Sequence, residues 1–333
     1  MSVRRHPDQR PDSTWQQDPG DADDLLLGVD GGGTKTEAWL AARRNGCEPL
    51  VVGRGVGGPA NPRAAGLPVA SSNVEAAVRE AFAAADRPVA PAAAACLAVA
   101  GVGHEPLRQA MEDWGRQQQL ARRVRVVHDG EAVLRAGTPR NCGVALVAGT
   151  GSFAFGMTEA GTRQRAGGWG YLFGDEGGGY AIAIAGLRAV VRAADGREPS
   201  TTLTSAILGA LKVTHPPDLI PALCGPTPAR QQIAALAPYV LQAASDGDAA
   251  AKAILLHAAQ ELAELVVAVA RKLAFARHHY SLALAGGVVV GHPPLQNEII
   301  NRLQTLHYEP DSTRAVPHPA HGALLLANEM ACG

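Results

Sequence analysis

Residues 25–40 read LLLGVDGGGTKTEAWL, and the fold turns on how that string is taken. Leu25, Leu26, Leu27 and Val29 lead into Asp30; three glycines and Thr34-Lys35-Thr36 follow, and apolar residues resume at Ala38, Trp39 and Leu40. Apolar, turn, apolar over so short a span predicts a β-hairpin, the glycines supplying the positive φ angles of its tip. Such a tip leaves its backbone N–H groups uncovered, so Gly31, Gly32, Gly33, Thr34 and Lys35 make a set that suits a phosphate chain. The Asp30 carboxylate beside it suits a hydrated Mg²⁺ ion, which takes few protein ligands and keeps most of its waters. Alone, the string fits an ordinary hairpin with a loose tip equally well. A Walker A loop is excluded: Gly28 and Gly33 have its spacing, but Thr34 intervenes before Lys35, and EAWLAA reads as a strand where a P-loop opens a helix.

The design recurs at 142–157, CGVALVAGTGSFAFGM. A strand, a GTGS turn and a second strand again place Gly149, Thr150, Gly151 and Ser152 at a hairpin tip. A chain that builds the same hairpin twice predicts two related domains facing one another, with two turns able to clasp one phosphate chain from both sides. Neither glycine pattern is a dinucleotide fingerprint. Gly149 and Gly151 are followed by a strand, and Gly53, Gly55 and Gly58 by Pro59 and Pro62, where the fingerprint needs a helix N-terminus.

Between and beyond the hairpins, 71–85 predicts a helix capped by serine, 94–103 a buried strand, and 105–119 a second helix. VRVVHDGEAVLRAG (124–137) reads as strand, turn and helix, with His128 and Asp129 at the carboxyl end of the strand, where α/β folds place chemistry. Asp129 either works there or caps the helix. Asn61, in the PAN-P stretch, either donates and accepts toward a polyol or simply makes a turn. In GGWGYLFGDEGGG (167–179), Asp175 and Glu176 are either dipole partners in a first helical turn or, with Trp169, part of a sugar site, which needs an apolar ring face and hydroxyl-binding carboxylates. Residues 200–275 read as mostly helical, with a break at 215–226 and a largely buried helix near 248–275. SLALAGGVVV (281–290) reads as a buried strand whose Gly286-Gly287 turn would admit an adenine or ribose. Residues 318–330 form a closing helix, and His318 and His321 find no further metal ligands nearby.

Composition sets the limits. A chain of 333 residues is long enough for two domains. With 47% hydrophobic and 18% charged residues it can bury sizeable cores. A net charge of −1 without a dominant basic run argues against nucleic acid as a partner. The five cysteines are scattered, with no CxxC pair for zinc or an iron–sulfur cluster, which fits a reducing cytoplasm. Residues 1–24 are polar, lack the apolar core of a signal peptide and read as a disordered tail. The most apolar region, 253–275, carries Gln260, Glu261, Glu264 and Arg271, so no membrane span is expected.

The ordered motifs GVDGGGTKT, GPAN, VVHDGEAVLRAG, ALVAGTGS, GGWGYLFGDEGGG, LALAGGVV and HGALLLA, spread over residues 25–330, resemble the BadF/BadG/BcrA/BcrD-type ATPase family and, within it, the N-acetylglucosamine kinases of the sugar kinase–actin–Hsp70 superfamily. The resemblance implies an α/β fold of two ribonuclease-H-like (actin-like ATPase) domains with ATP in the cleft between them, one built from 25–138 plus 318–333 and the other from 139–317. It implies that Gly31 to Lys35 form the first phosphate loop with Asp30 on Mg²⁺, Gly149 to Ser152 the second, and Gly286-Gly287 the adenosine loop. Asn61, Gly168, Trp169 and Asp175 match sugar contacts, and Asp129 matches the catalytic aspartate that holds the sugar hydroxyl. Relatives imply a homodimer. HDG stands at 128–130 where the sugar kinases commonly read NDA, which leaves His128 and Gly130 without a role; GDEGGG replaces the common GDEGS. The cluster cysteines of the related electron-transfer activators are missing, which argues against that activity. The expected function is ATP-dependent phosphorylation of an amino sugar. Glucosamine, N-acetylmuramic acid or another hexose as acceptor, and a non-catalytic nucleotide-binding regulator, are the alternatives.

Overall fold

The computed structural model describes residues 24–44, 47–225, 230–275 and 279–332; the expected tail lies outside them apart from Asp24. The opening hairpin forms as its pattern predicts. β1 (Leu25–Gly31) and β2 (Thr36–Ala42) pair antiparallel, Gly31 opposite Thr36. β1 is buried along its length because both faces are covered: Leu25, Leu27 and Val29 join one core cluster, and Leu26 joins another on the opposite face.

The first half continues with β3 (Leu50–Gly57), α1 (Pro62–Ala65), α2 (Leu67–Ala84), β4 (Ala92–Val99), α3 (Glu105–Gln117), β5 (Ala121–His128) and α4 (Asp129–Gly137). The second holds β6 (Gly143–Ala148), β7 (Ser152–Met157), β8 (Arg163–Gly167), α5 (Gly179–Ala194), α6 (Leu203–Leu211), α7 (Leu219–Leu223), α8 (Arg230–Ala234), α9 (Ala237–Ser245), α10 (Ala249–Lys272), β9 (Ser281–Ala285), α11 (Gly287–Val290), α12 (Pro293–Thr305), β10 (Ser312–Val316) and α13 (Pro319–Cys332). The sheets run β3-β2-β1-β4-β5 and β10-β9-β6-β7-β8. In each, an antiparallel meander of three strands is extended by two parallel ones. The repeated hairpin predicts a related pair, and the duplicated ribonuclease-H-like arrangement is the one the resemblance implies.

α13 returns across the first sheet to cover β1 and β4 and to cross α4. Two glycines allow that approach. A Cβ on Gly28 would meet the backbone of Leu324 and Ala320, and one on Gly322 would meet the carbonyl of Ala132 in α4. Gly322→Val therefore overpacks a backbone-to-backbone crossing, where such changes cost about 1–3 kcal/mol or more. A fall in melting temperature of about 5 °C or more is expected, given about 2–4 °C per kcal/mol for larger domains; thermal denaturation measures it.

Several local expectations give way to packing. Gly53 and Gly55 belong to β3 and not to a loop: a Cβ there would strike the carbonyls of Ala81 and Ala77, so the glycines are the bed on which α2 lies. α2 starts at Leu67 with Pro68 in its first turn and Gly66 as cap, so Ser71 and Ser72 sit inside the helix and cap nothing. No turn separates β5 from α4; His128, not Asp129, is the N-cap residue. Asp175 and Glu176 precede α5 and do not lie in its first turn. The strand at 281–285 ends at the expected Gly286 turn, and 287–290, read only as apolar residues behind that turn, are helical. α10 has the length and hydropathy to cross a membrane; here it packs on α9, α12, β6 and β7 with Leu255, Leu262, Val266 and Val269 buried.

Candidate active site

The two glycine turns meet. Thr34 Oγ1 and Thr150 Oγ1, 116 residues apart in the chain, lie 3.0 Å from one another, and Gln231 Nε2 at the head of α8 donates to the carbonyl of Gly33 at 3.4 Å. Each tip is tied locally: Gly32 N–H donates to Lys35 O at 2.9 Å, and the N–H groups of Gly179 and Tyr180, at the start of α5, donate to Gly149 O and Thr150 O at 2.8 and 3.0 Å. Gly286, at φ +95°, packs behind the second turn, where a Cβ would stand 2.9 Å from Gly149 N. By contrast, a Cβ on Gly33, Gly149 or Gly287 would find no atom within 4 Å. Each of these three glycines borders open space. Ser152 is buried and faces away from it, donating to Glu176 O at 2.6 Å.

A second group converges beside the first turn. Ala100 N–H donates to Gly31 O at 2.8 Å, and Ala60 N–H to Gly32 O at 3.0 Å, which brings the loops after β4 and β3 together. Asn61 caps α1 by accepting from Arg63 N–H at 3.0 Å, and its amide lies against Gly101, where any Cβ would collide with it. Its NH₂ group makes no hydrogen bond among the described residues. Asp129 opens α4, its Oδ1 2.8 Å from His128 Nδ1. Asp30 is half-buried, and desolvation there pushes its carboxyl up to about 7, with the charges of Asp129 and Glu37 adding and Lys35 opposing. The charge of Asp129 is felt at Asp30, so the two carboxylates are neighbours.

Crowded acids that repel a proton-free state are what a divalent cation offsets. No group of three or more His, Cys, Asp or Glu that could hold a metal occurs among the described residues. The donor set thus fits Mg²⁺ held by Asp30 with waters and phosphate oxygens, and not a cation needing a protein cage.

The expected sugar residues differ in what surrounds them. Gly168 has φ +69°, and a Cβ on it would stand 3.3 Å from that of Phe153 and 3.7 Å from Arg165 Nη1. Trp169 is 71% exposed, with the Arg165 guanidinium 5.7 Å from its ring centre. Asp175 is turned elsewhere: it is buried against Gly151, and its Oδ2 takes Arg230 Nη2 at 2.7 Å. Burial holds its carboxyl above the usual range despite Arg230. Asp175 therefore ties the 168–178 loop to the second glycine turn and reaches a sugar only if Arg230 lets go. Arg230 and Gln231 gave no signal in the sequence, because each gains its place from a partner far along the chain; Arg165 gave none either. A separate cavity of about 470 Å³, lined by Tyr171, Leu172, Tyr180, Ile184, Ile254 and His257, lies beside α5 and α10 and includes neither glycine turn nor Asp129. His318 and His321 pair with Glu37 at 3.1 Å and Glu48 at 2.6 Å over the Trp39 ring.

The family model of the BadF/BadG/BcrA/BcrD ATPases matches residues 27–327. The chain is 30% identical over 264 residues, covering 79% of this chain and 85% of the relative, to an N-acetylmuramic acid/N-acetylglucosamine kinase of Clostridium acetobutylicum. It is 29% identical over 316 residues, 91% and 98% of the two chains, to an N-acetyl-D-glucosamine kinase of Dictyostelium discoideum. A solved structure from Chromobacterium violaceum, provisionally named an N-acetylglucosamine kinase, superposes with a TM-score of 0.70 at 28% identity over 92% of this chain and 100% of that one.

Proposed function

Because the chain belongs to the BadF/BadG/BcrA/BcrD ATPase family, we propose that it is an ATP-dependent amino-sugar kinase that phosphorylates the 6-hydroxyl of N-acetylglucosamine. The observation that carries the reading is the 3.0 Å contact between Thr34 and Thr150, which brings together the tips of two hairpins from opposite sheets. Phosphoryl transfer needs in-line positioning and charge neutralisation more than covalent help. The N–H groups of turns 31–35 and 149–151 would hold the phosphates, donors fixed in place before the charge develops. Gly286-Gly287 would seat the adenosine. Mg²⁺ bound at Asp30 would neutralise phosphate charge. Asp129 would orient the sugar hydroxyl and take its proton, with Asn61 and the Gly168-Trp169 segment meeting the rest of the sugar. The lobes would be 25–138 with 318–333, and 139–317, a division that the docking of α13 on β1 supports. A cytoplasmic homodimer belongs to the same proposal; the five free cysteines support a reducing compartment, and light scattering reads the dimer.

An ADP-release assay over N-acetylglucosamine, glucosamine, glucose and N-acetylmuramic acid tests it. Fastest turnover on an N-acetylated sugar is expected. ATP binding without turnover on any sugar would overturn the kinase reading in favour of a regulatory protein.

One observation favours N-acetylmuramic acid as a second acceptor. Arg165 is half-buried on β8 and has no carboxylate partner among the described residues; its Nη1 lies 3.8 Å from where a Cβ on Gly103 would stand, beside His128. A cation left unpaired at the mouth of a sugar pocket suits a carboxylate-bearing substituent. Arg165→Met is then expected to lower kcat/KM for N-acetylmuramic acid about 10- to 100-fold, as for loss of a charge-assisted hydrogen bond, and to leave N-acetylglucosamine within about 3-fold. Equal losses on both sugars would refute the assignment.

A further inference from the structure

An ion pair stands against the second glycine turn. Asp175 is buried at φ +64°, a left-handed conformation that aspartate and asparagine adopt more readily than most residues with a side chain. A Cβ on Gly151 would run into its carboxylate. The segment that follows is laced to the same turn. Ser152 Oγ donates to Glu176 O at 2.6 Å, and the N–H groups of Gly179 and Tyr180 donate to Gly149 O and Thr150 O. Gly149 N–H donates to Gly151 O at 2.9 Å, so the carbonyls of 149, 150 and 151 are all taken. The N–H groups of Thr150 and Gly151 make no hydrogen bond among the described residues and are the donors that the turn has left to offer. Asp175 thus anchors the turn, but it also sets a carboxylate beside donors suited to an anion. Arg230, 55 positions along the chain, answers that charge, with Nη2 donating to Oδ2 at 2.7 Å. Its guanidinium carbon lies 5.0 Å from the centre of the Tyr171 ring, which meets Tyr180 edge-on at 5.3 Å. Burial works against the Asp175 charge, and Arg230 leads the groups that favour it, ahead of the N–H groups of Ser152 and Gly170. Arg230 keeps this place although its Nε is buried with no acceptor among the described residues. Its neighbour Gln231 reaches Gly33 O at 3.4 Å, so the start of α8 touches the first turn as well.

We propose that Arg230 is a positioning residue for ATP, neutralising the carboxylate that anchors the second turn. This rests on the reading of Gly149 to Ser152 as a phosphate turn. A carboxylate left uncompensated here would oppose the triphosphate and, being buried, would disturb the turn that it holds. With Arg230 on it, Asp175 fixes the turn while the pair carries no net charge. The N–H groups of Thr150 and Gly151 then meet the phosphates without opposition from their own anchor. Asp175 accordingly serves the nucleotide side of the site, and the sugar is held elsewhere. Removing one partner of such a pair is costly, whereas replacing both by uncharged groups is often close to neutral. That asymmetry makes the role measurable.

Arg230→Met is expected to weaken ATP binding about 10- to 100-fold, the reach of one uncompensated charge on a bound anion. KM for the sugar turned over fastest should stay within about 3-fold. The double variant Arg230→Met/Asp175→Asn is expected to bring ATP binding back to within about 5-fold of the parent, because the amide keeps the left-handed backbone and an acceptor oxygen with no charge to answer. An arginine that only packs against Tyr171 would show no such rescue. Titration calorimetry reads ATP binding, and ADP release reads the sugar KM. Should Arg230→Met prove unfolded by circular dichroism, Arg230→Gln, which keeps a donor for Oδ2 without the charge, takes its place with the same expectation. Parental ATP binding in the single variant, or a double variant that binds ATP as weakly as the single one, overturns the proposal. So does a double variant with parental ATP binding and a sugar KM raised about 10-fold or more, since Asp175 would then be meeting the sugar. The parent protein separates the two levels. If it binds ATP, those outcomes strike Arg230 alone; if it does not, the reading of the glycine turns itself has failed.

Discussion

An Asp129→Asn protein is expected to bind ATP and sugar with near-parental affinity and to lose about 10²–10⁴-fold in kcat, the usual worth of a positioned general base. The substitution is nearly isosteric, and α4, which Asp129 opens, is fixed by its packing on α13, β6 and β9, so the fold should tolerate it. The amide oxygen can still accept from Gly130 N–H, 3.1 Å away in the parent. What is lost is the capacity to take a proton, an interaction realised only as transfer proceeds. The deficit should therefore fall in kcat and not in KM. ADP release under saturating sugar and ATP measures it; kcat within a few-fold of the parent would contradict the assignment. A side effect is expected too. Asp129 is one of the charges that raise Asp30, so the variant should melt higher than the parent at pH 8 in the absence of nucleotide.

The second large effect is expected at Asp30, where function and stability move in opposite directions. Asp30 is half-buried within reach of the charges of Asp129 and Glu37, and its carboxyl is pushed up to about 7, against about 4 for an unfolded aspartate. With the folded-state value above the unfolded one, the native chain holds the proton where the unfolded chain has already lost it. Stability accordingly falls as pH rises from about 4 toward 7, and the full penalty persists above that. Asp30→Asn removes the ionising group. Its melting temperature without ligands should exceed the parent's at pH 8 and converge on it near pH 4. The same change removes the carboxylate expected to hold Mg²⁺, and turnover should fall about 10²-fold or more, as when a group neutralising the transferred phosphate is lost. Addition of Mg²⁺ and ATP should then stabilise the parent more than the variant. A variant that melts no higher at pH 8, or that keeps parental kcat, would sink this account. Few surface or core changes would produce a protein both more stable and less active, so the paired readout is discriminating.

Consecutive residues determined a good deal. The glycine-tipped hairpins at 25–42 and 143–157 were legible because strand period and turn chemistry are properties of neighbouring residues. Their repetition predicted two sheets of like topology, and Asp129 stood at the end of a strand where such folds gather chemistry. Packing also set features that no local signal displays. Gly53 and Gly55 are strand residues made bare by the carbonyls of α2. Asp175, beside Trp169 in the sequence, takes Arg230 on its Oδ2 from 55 positions away. Only the tertiary structure decided that Thr34 and Thr150 meet, that Arg165 has no carboxylate partner among the described residues, and that a Cβ on Gly130 would strike Phe155. The reason is physical: a hairpin's shape follows from torsions within a few residues, whereas which hairpins share a space is fixed by how helices α4 and α13 pack the two sheets together, a sum of many weak contacts that no single stretch of sequence displays.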